Sequence, residues 1–191
     1  MNTHINQQIF KSFPVLETER LMLRQFRFDD IADFFAIRSN PVVMQYMDSF
    51  PHQNHNESGT MIVQMEESFR NKTGINWAIE LVSSRKLIGY IGLWRLIYEN
   101  VRAELGYALN HEYWGNGYMN EALTEVIRFS FEDFHLHSIE ASVNPLNMKS
   151  ISLLKKAGFT KQAHFRENFY FDGHFLDSFV FCLTESNFLQ F

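Results

Sequence analysis

The chain has 191 residues, 46% of them hydrophobic and 20% charged, and a formal net charge of −5. That length and balance suit one packed domain rather than a disordered chain, and the negative charge argues against nucleic acid or an acidic membrane as the main partner. One cysteine, Cys182, excludes an internal disulfide framework; with no cationic, apolar leader at its start, the chain is expected to be a cytoplasmic single domain over residues 1–191, with its core at about 16–184.

In chain order, "RLMLRQF" alternates Leu21 and Leu23 with Met22 and Arg24, as a half-buried strand does. "FDDIADFFAIRS" changes to a helical period, with Asp29, Asp30 and Asp33 where the helix dipole favours anions. Residues 48 to 60 are polar and predict a mobile loop, followed by a helix from about Thr60 to Arg70. "INWAIEL", "KLIGYIGLW" and "RAELGYAL" follow without an intervening helix and predict an antiparallel meander.

"YWGNGYMNEAL" comes next, with Gly115 and Gly117 ahead of an amphipathic helix in which Met119, Ala122, Leu123, Val126 and Ile127 share a face. "SIEASVN" predicts a strand and "NMKSISLLKKAGF" a helix opened by Asn147 and closed by Gly158. Asp172-Gly173, between two aromatic runs, predicts a type I′ hairpin. The order β α α βββ α β α ββ implies an α/β (α+β) domain with a mixed, mainly antiparallel sheet flanked by helices.

The first four N–H groups of a helix lack internal partners, so glycines there let an anion approach bare backbone. An ordinary turn is the plain alternative. A dinucleotide fingerprint would need a third glycine where Asn120 stands, and no Gly-Lys-Ser/Thr follows to make a P-loop. Another pyrophosphate-bearing cofactor remains.

Two histidine pairs, His52/His55 and His135/His137, lack the carboxylate or cysteine company of a metal site, so no metal is expected. Cys182 reads as a structural thiol; Trp77, Trp94 and the twenty phenylalanines read as core.

"AELGYALNHEYWGNGYMNEAL" with "NPLNMKSISLLKKAGF" resembles the coenzyme A-binding core of the GNAT superfamily of N-acetyltransferases. The opening "LETERLMLRQFRFDDIADFFAIRSNPVVMQYM" is similar to its ribosomal-protein-alanine N-acetyltransferase branch. The resemblance runs from Leu16 to Leu183. It implies a sheet splayed between "AELGYAL" and "SIEASVN", with acetyl-CoA as co-substrate in the opening. It also places the pyrophosphate on the turn of Trp114, Gly115, Asn116, Gly117, Tyr118 and Met119, where Trp114 replaces the family's Arg or Gln and Met119 a small residue. Asn144, Asn147 and Ser150 match positions along the pantetheine arm, and the strand of Leu105, Tyr107 and Leu109 would bond that arm through its backbone.

The implied reaction is direct transfer of an acetyl group to a primary amine, with Ser150 as acid for the thiolate (Tyr118 as a second choice) and Glu104 or Glu167 as base. The acceptor would be a protein N-terminus or a small molecule such as a polyamine, amino acid or antibiotic; a coenzyme A-binding module without turnover is the non-enzymatic alternative. The chain would act as a monomer or homodimer.

Overall fold

The computed structural model describes residues 4–188. Eight strands form one sheet in the order β1-β2-β3-β4-β5-β6-β8-β7. They are β1 (Leu16–Glu17), β2 (Leu21–Arg24), β3 (Ile75–Leu81), β4 (Leu87–Ile97), β5 (Arg102–Leu109), β6 (Ser138–Val143), β7 (Thr160–Phe171) and β8 (His174–Thr184). The helices are α1 (Ile31–Arg38), α2 (Pro41–Met44), α3 (His55–Arg70), α4 (Tyr118–Glu132), α5 (Met148–Lys156) and α6 (Glu185–Phe188).

Every neighbouring pair of strands is antiparallel except β5 and β6, which run parallel over only three residue pairs, Arg102↔Ser138, Ala103↔Ile139 and Glu104↔Glu140. Beyond Glu104 the two strands separate. The mixed sheet is as the sequence predicts, and the splay is as the family resemblance implies. Residues 105–109 of β5 keep a partner on the β4 side alone. Asn110 N–H donates to Ile88 O, and the antiparallel alternation from that pair turns the backbone groups of Leu105, Tyr107 and Leu109 toward the opening.

Both sheet faces are covered. On one, Leu105, Leu109, Ile139 and Ala141 pack with Met119, Ala122, Leu123 and Val126 of α4 and with Ile151 and Leu154 of α5. On the other, Ala78, Tyr90 and Ala108 pack with Phe34 and Ile37 of α1 and with Ile62 and Met65 of α3. Under this second layer Arg24, almost fully buried, meets Asp30 through two parallel hydrogen bonds of 2.7 and 2.8 Å and Glu80 at 2.5 Å. Removing one member of such a buried set costs about 3–5 kcal/mol, because the remaining charge is stranded away from water.

Several expectations change. The helix expected from Thr60 starts at His55, because Asn54 caps it by accepting from the Glu57 N–H while Asn54 Nδ2 donates to the Glu57 carboxylate. Polar side chains that suggested a loop are therefore a cap and a solvated first turn. The short α2, begun by Asn40 and Pro41, carries too few residues for a period to show. Trp77 is fully buried, but Trp94 is 48% exposed: a bulge between Leu93 and Arg95 takes it out of the β4–β5 register. The β7–β8 turn has φ of +46° at Asp172 and +80° at Gly173, as a type I′ turn requires.

Candidate active site at the strand fork

The separated strands and the turn after β5 form one site. Gly115 and Gly117 hold φ of +80° and +81°, a region open to glycine at little cost. The amides of Gly115, Asn116, Gly117, Tyr118, Met119 and Asn120 have no acceptor among the described residues, whereas Glu121 N–H begins the helical ladder on Gly117 O. Consecutive unpaired amides at the start of α4 make a cradle for an anion. A Cβ at Gly115 would meet nothing within 4 Å, so the ligand side of the turn is open.

The side chains of the turn take other duties. Trp114 Nε1 donates to Leu109 O at 2.8 Å, which fixes the indole beside the end of β5. Met119 is buried in the core, so the bulk that replaces a small residue points away from the cradle and only its amide is available. Tyr118 lies under the Arg20 guanidinium, 4.5 Å from the ring centre, and among the described residues the Ser150 hydroxyl bonds Tyr107 rather than Tyr118. Arg20 bonds Asn116 O at 3.0 Å and the Glu121 carboxylate at 2.6–2.7 Å. Burial alone would raise the Glu121 carboxyl; hydrogen bonds from Thr18 and Arg20 outweigh it and hold the group below its ordinary range.

Across the fork, Asn144 Oδ1 accepts from Leu146 N–H at 3.0 Å and Asn147 Oδ1 accepts from Ser150 N–H at 3.1 Å. Asn147 is thus the cap of α5. Its capping points the Ser150 hydroxyl into the opening, where it meets the Tyr107 hydroxyl at 2.7 Å. Burial pushes the Tyr107 hydroxyl up to about 12, with the Ser150 bond pulling the other way, so the phenol keeps its proton across the working pH range. Sequence reasoning names Tyr107 for its backbone; the hydroxyl pair was legible only in the pairing of β5 with α5, which juxtaposes residues 43 apart in the chain.

Glu104 occupies the residue pair at which the strands part, on the face opposite Leu105, Tyr107 and Leu109. Arg95 reaches it at 2.9 Å. Burial raises its carboxyl above the ordinary value, the Arg95 charge partly offsets this, and Glu140 opposite adds to the rise. Glu140 is itself paired with Arg102. Glu167 is not brought to this group. It sits exposed in a bulge of the edge strand β7 with φ of +49°, its N–H donating to Asp177 Oδ1 at 2.9 Å. Asp177 also bonds His164 at 2.7 Å.

Two other segments meet away from the glycine turn's own contacts. Phe50, after α2, and Phe171, at the tip of β7, have ring centres 4.7 Å apart. On the same hairpin Phe165, Tyr170 and Phe175 are each about half exposed or more, as is Trp94 of β4. His52 bonds Ser58 at 2.8 Å and His55 lies 4.4 Å from the Phe35 ring, so both belong to the α3 start. Among the described residues no group of three or more His, Cys, Asp or Glu side chains could hold a metal ion, and no helix is long and apolar enough to cross a membrane. Cys182, opposite Glu140 on β8, is raised by burial, as an unreactive thiol is.

A parallel strand pair that opens beside a cradle of free amides, with a hydroxyl pair and a carboxylate at the fork, is the framework of a group-transfer enzyme. Residues 20–160 match the Acetyltransferase (GNAT) domain family, and the chain belongs to that family. It is 35% identical to the uncharacterized N-acetyltransferase YoaA of Bacillus subtilis, over 91% of this chain and 98% of that one. The ribosomal protein uS5-alanine N-acetyltransferase of Escherichia coli is 36% identical over 42% of this chain and 41% of its own. Among solved structures, the spermidine N-acetyltransferase of Vibrio cholerae, in complex with CoA and spermine, superimposes with a TM-score of 0.79 at 22% identity, over 90% and 99% of the two chains. The protein is accordingly an acetyl-CoA-dependent N-acetyltransferase.

Proposed function

We propose that the protein acetylates the terminal α-amine of a polypeptide, using the fork as its acetyl-CoA site. The observation that carries the cofactor side is the run of six unpaired amides from Gly115 to Asn120, which fits a pyrophosphate with bare backbone on its open side. Asn144, Asn147 and the outward backbone groups of Tyr107 and Leu109 line the way from that cradle into the fork. When bound, the cofactor supplies an activated acetyl thioester.

The chain's own groups then divide the work. An outward N–H of β5, at Leu105 or Tyr107, stabilises the charge that develops on the acetyl oxygen; Leu109 O is already taken by Trp114. Tyr107 remains a hydroxyl and donates to Ser150 Oγ, which leaves the serine hydrogen for the departing sulfur; as it passes, the Tyr107 hydrogen moves to Ser150 Oγ and solvent reprotonates the phenol. Glu104 accepts the proton that the amine gives up. Glu167, exposed on the edge strand and unbonded to the hydroxyl pair, is assigned to the acceptor rather than to the reaction centre.

Glu104 is held by Arg95 and is a modest base. With reference pKa values near 8 and 10.4, about a tenth of an α-amine is neutral at pH 7 against roughly four in ten thousand lysine side chains, a gap of about 3 kcal/mol. A modest base suits the amine that needs less help. The half-exposed aromatic rim fits a polypeptide chain, and the uS5-alanine relative agrees with it.

The test is a comparison of initial rates with acetyl-CoA on three acceptors: a short peptide with a free N-terminal alanine, the same peptide blocked at its N-terminus but carrying a lysine, and spermidine. The free peptide is expected to react at least tenfold faster than the other two. Faster spermidine turnover would replace the polypeptide reading with a polyamine one, and coenzyme A binding with no turnover on any acceptor would leave a binding module.

A further inference from the structure

We infer that Lys149 is the cation that meets a phosphate of acetyl-CoA at the glycine turn, standing in for the side chain that Trp114 does not provide; this rests on the reading of that turn as the cofactor site. Two cations border the cradle. Arg20 is already committed, since its guanidinium bonds both the Glu121 carboxylate and Asn116 O and lies over the Tyr118 ring. Its charge is matched within the protein, and it buttresses the turn from behind.

Lys149 differs on each count. It is exposed and forms no ion pair with any described residue. Its ammonium lies 4.1 Å from the centre of the Trp114 ring, a cation–π contact that brings a side chain of α5 across to the residue preceding Gly115. The indole is itself pinned by Leu109 O, so the position of the charge traces back to the end of β5.

The placement is electrostatically unfavourable without a ligand. Lys149 is in the first turn of α5, where the helix dipole repels cations, and that turn contains no acidic residue to offset it. The free amides that open α4 add positive potential close by. Two helix starts and an unpaired ammonium that converge on one opening are relieved together by a single polyanion. A charge that Trp114 itself cannot supply thus comes from another helix, with the indole serving as its platform.

The test measures acetyl-CoA affinity by calorimetry for Lys149→Met and Lys149→Arg, alongside kcat/KM with acetyl-pantetheine, a donor that lacks the phosphates. Lys149→Met is expected to weaken acetyl-CoA binding about tenfold, to flatten its salt dependence, and to leave kcat/KM for acetyl-pantetheine unchanged. Lys149→Arg is expected to stay within about threefold of the natural protein, because it keeps both the charge and the stacking. An unchanged affinity in Lys149→Met, with the natural protein binding acetyl-CoA, overturns the role of Lys149 alone. Equal losses with both donors would make the residue merely structural and overturn it too. If the natural protein bound no acetyl-CoA, the reading of the turn would fall, and this inference with it.

Discussion

The glycine turn with its two helices and the aromatic hairpin of β7 and β8, the regions proposed for donor and acceptor, are built on opposite principles. At the turn the proposed binding groups are main-chain amides, set by two left-handed glycines, by the uncapped start of α4 and by the Asn147-capped start of α5. At the hairpin the proposed ones are side chains on an edge strand that is exposed along nearly all of its length. Backbone recognition demands particular residues at particular spacings and tolerates little change. Side-chain recognition can be rewritten one residue at a time, which is why the donor is readable from this chain and the acceptor has to be proposed.

The largest expected effect falls where the two regions meet. Glu104→Gln is expected to lower kcat/KM about a hundredfold at neutral pH, the scale of a lost general base. Because burial raises the Glu104 carboxyl above its ordinary value of 4.5, the acid limb of the natural enzyme's pH–rate profile should lie above that value. Below that point the carboxyl is protonated and cannot accept, so activity falls as pH falls; the glutamine variant should lack that limb. A limb retained in Glu104→Gln would assign the base elsewhere.

A weaker effect separates the regions. Gly117→Val is expected to weaken acetyl-CoA binding about tenfold, with the peptide acceptor's KM little changed. Space is not the obstacle, since a Cβ there would stand 3.5 Å from the Arg20 guanidinium, an ordinary contact; the +81° φ is what a branched residue resists, and the turn would move to relieve it. Retained affinity in calorimetry would show that the cradle does not depend on that backbone form. Smallest and opposite in sense, Phe171→Ala should raise the acceptor KM about three- to fivefold by removing the contact with Phe50, while the acetyl-CoA dissociation constant stays the same. A change in acetyl-CoA affinity there would mean that the two regions are not separate.

Much of the framework was legible because its cues are local. The period of α4, the Asn147 cap, the Gly158 stop and the Asp172-Gly173 turn each follow from neighbouring residues, and the structure places each where expected. What was missed depended on contacts distant in the chain. Tyr107 reads as an ordinary strand aromatic until α5 brings Ser150 against it, and Trp94 reads as core until a bulge turns it outward. Asn54 and Glu57 look like loop polarity because a cap and a loop draw on the same residue types. Met119, in contrast, departs from the family pattern without disturbing the cradle, since its side chain finds room in the core.

The three-pair join between β5 and β6 has a mechanical consequence. It is the strand-to-strand contact between a block of five strands and a block of three, and the cohesion across it is completed by the Arg102–Glu140 ion pair and by α4 and α5 lying beneath. A molecule seated in the opening would touch both blocks and act as a rivet across the seam. Slow amide exchange along the inner edges of β5 and β6 would then report occupancy directly, and the resistance of the whole sheet to pulling or heating would rise with donor concentration rather than belong to the polypeptide alone.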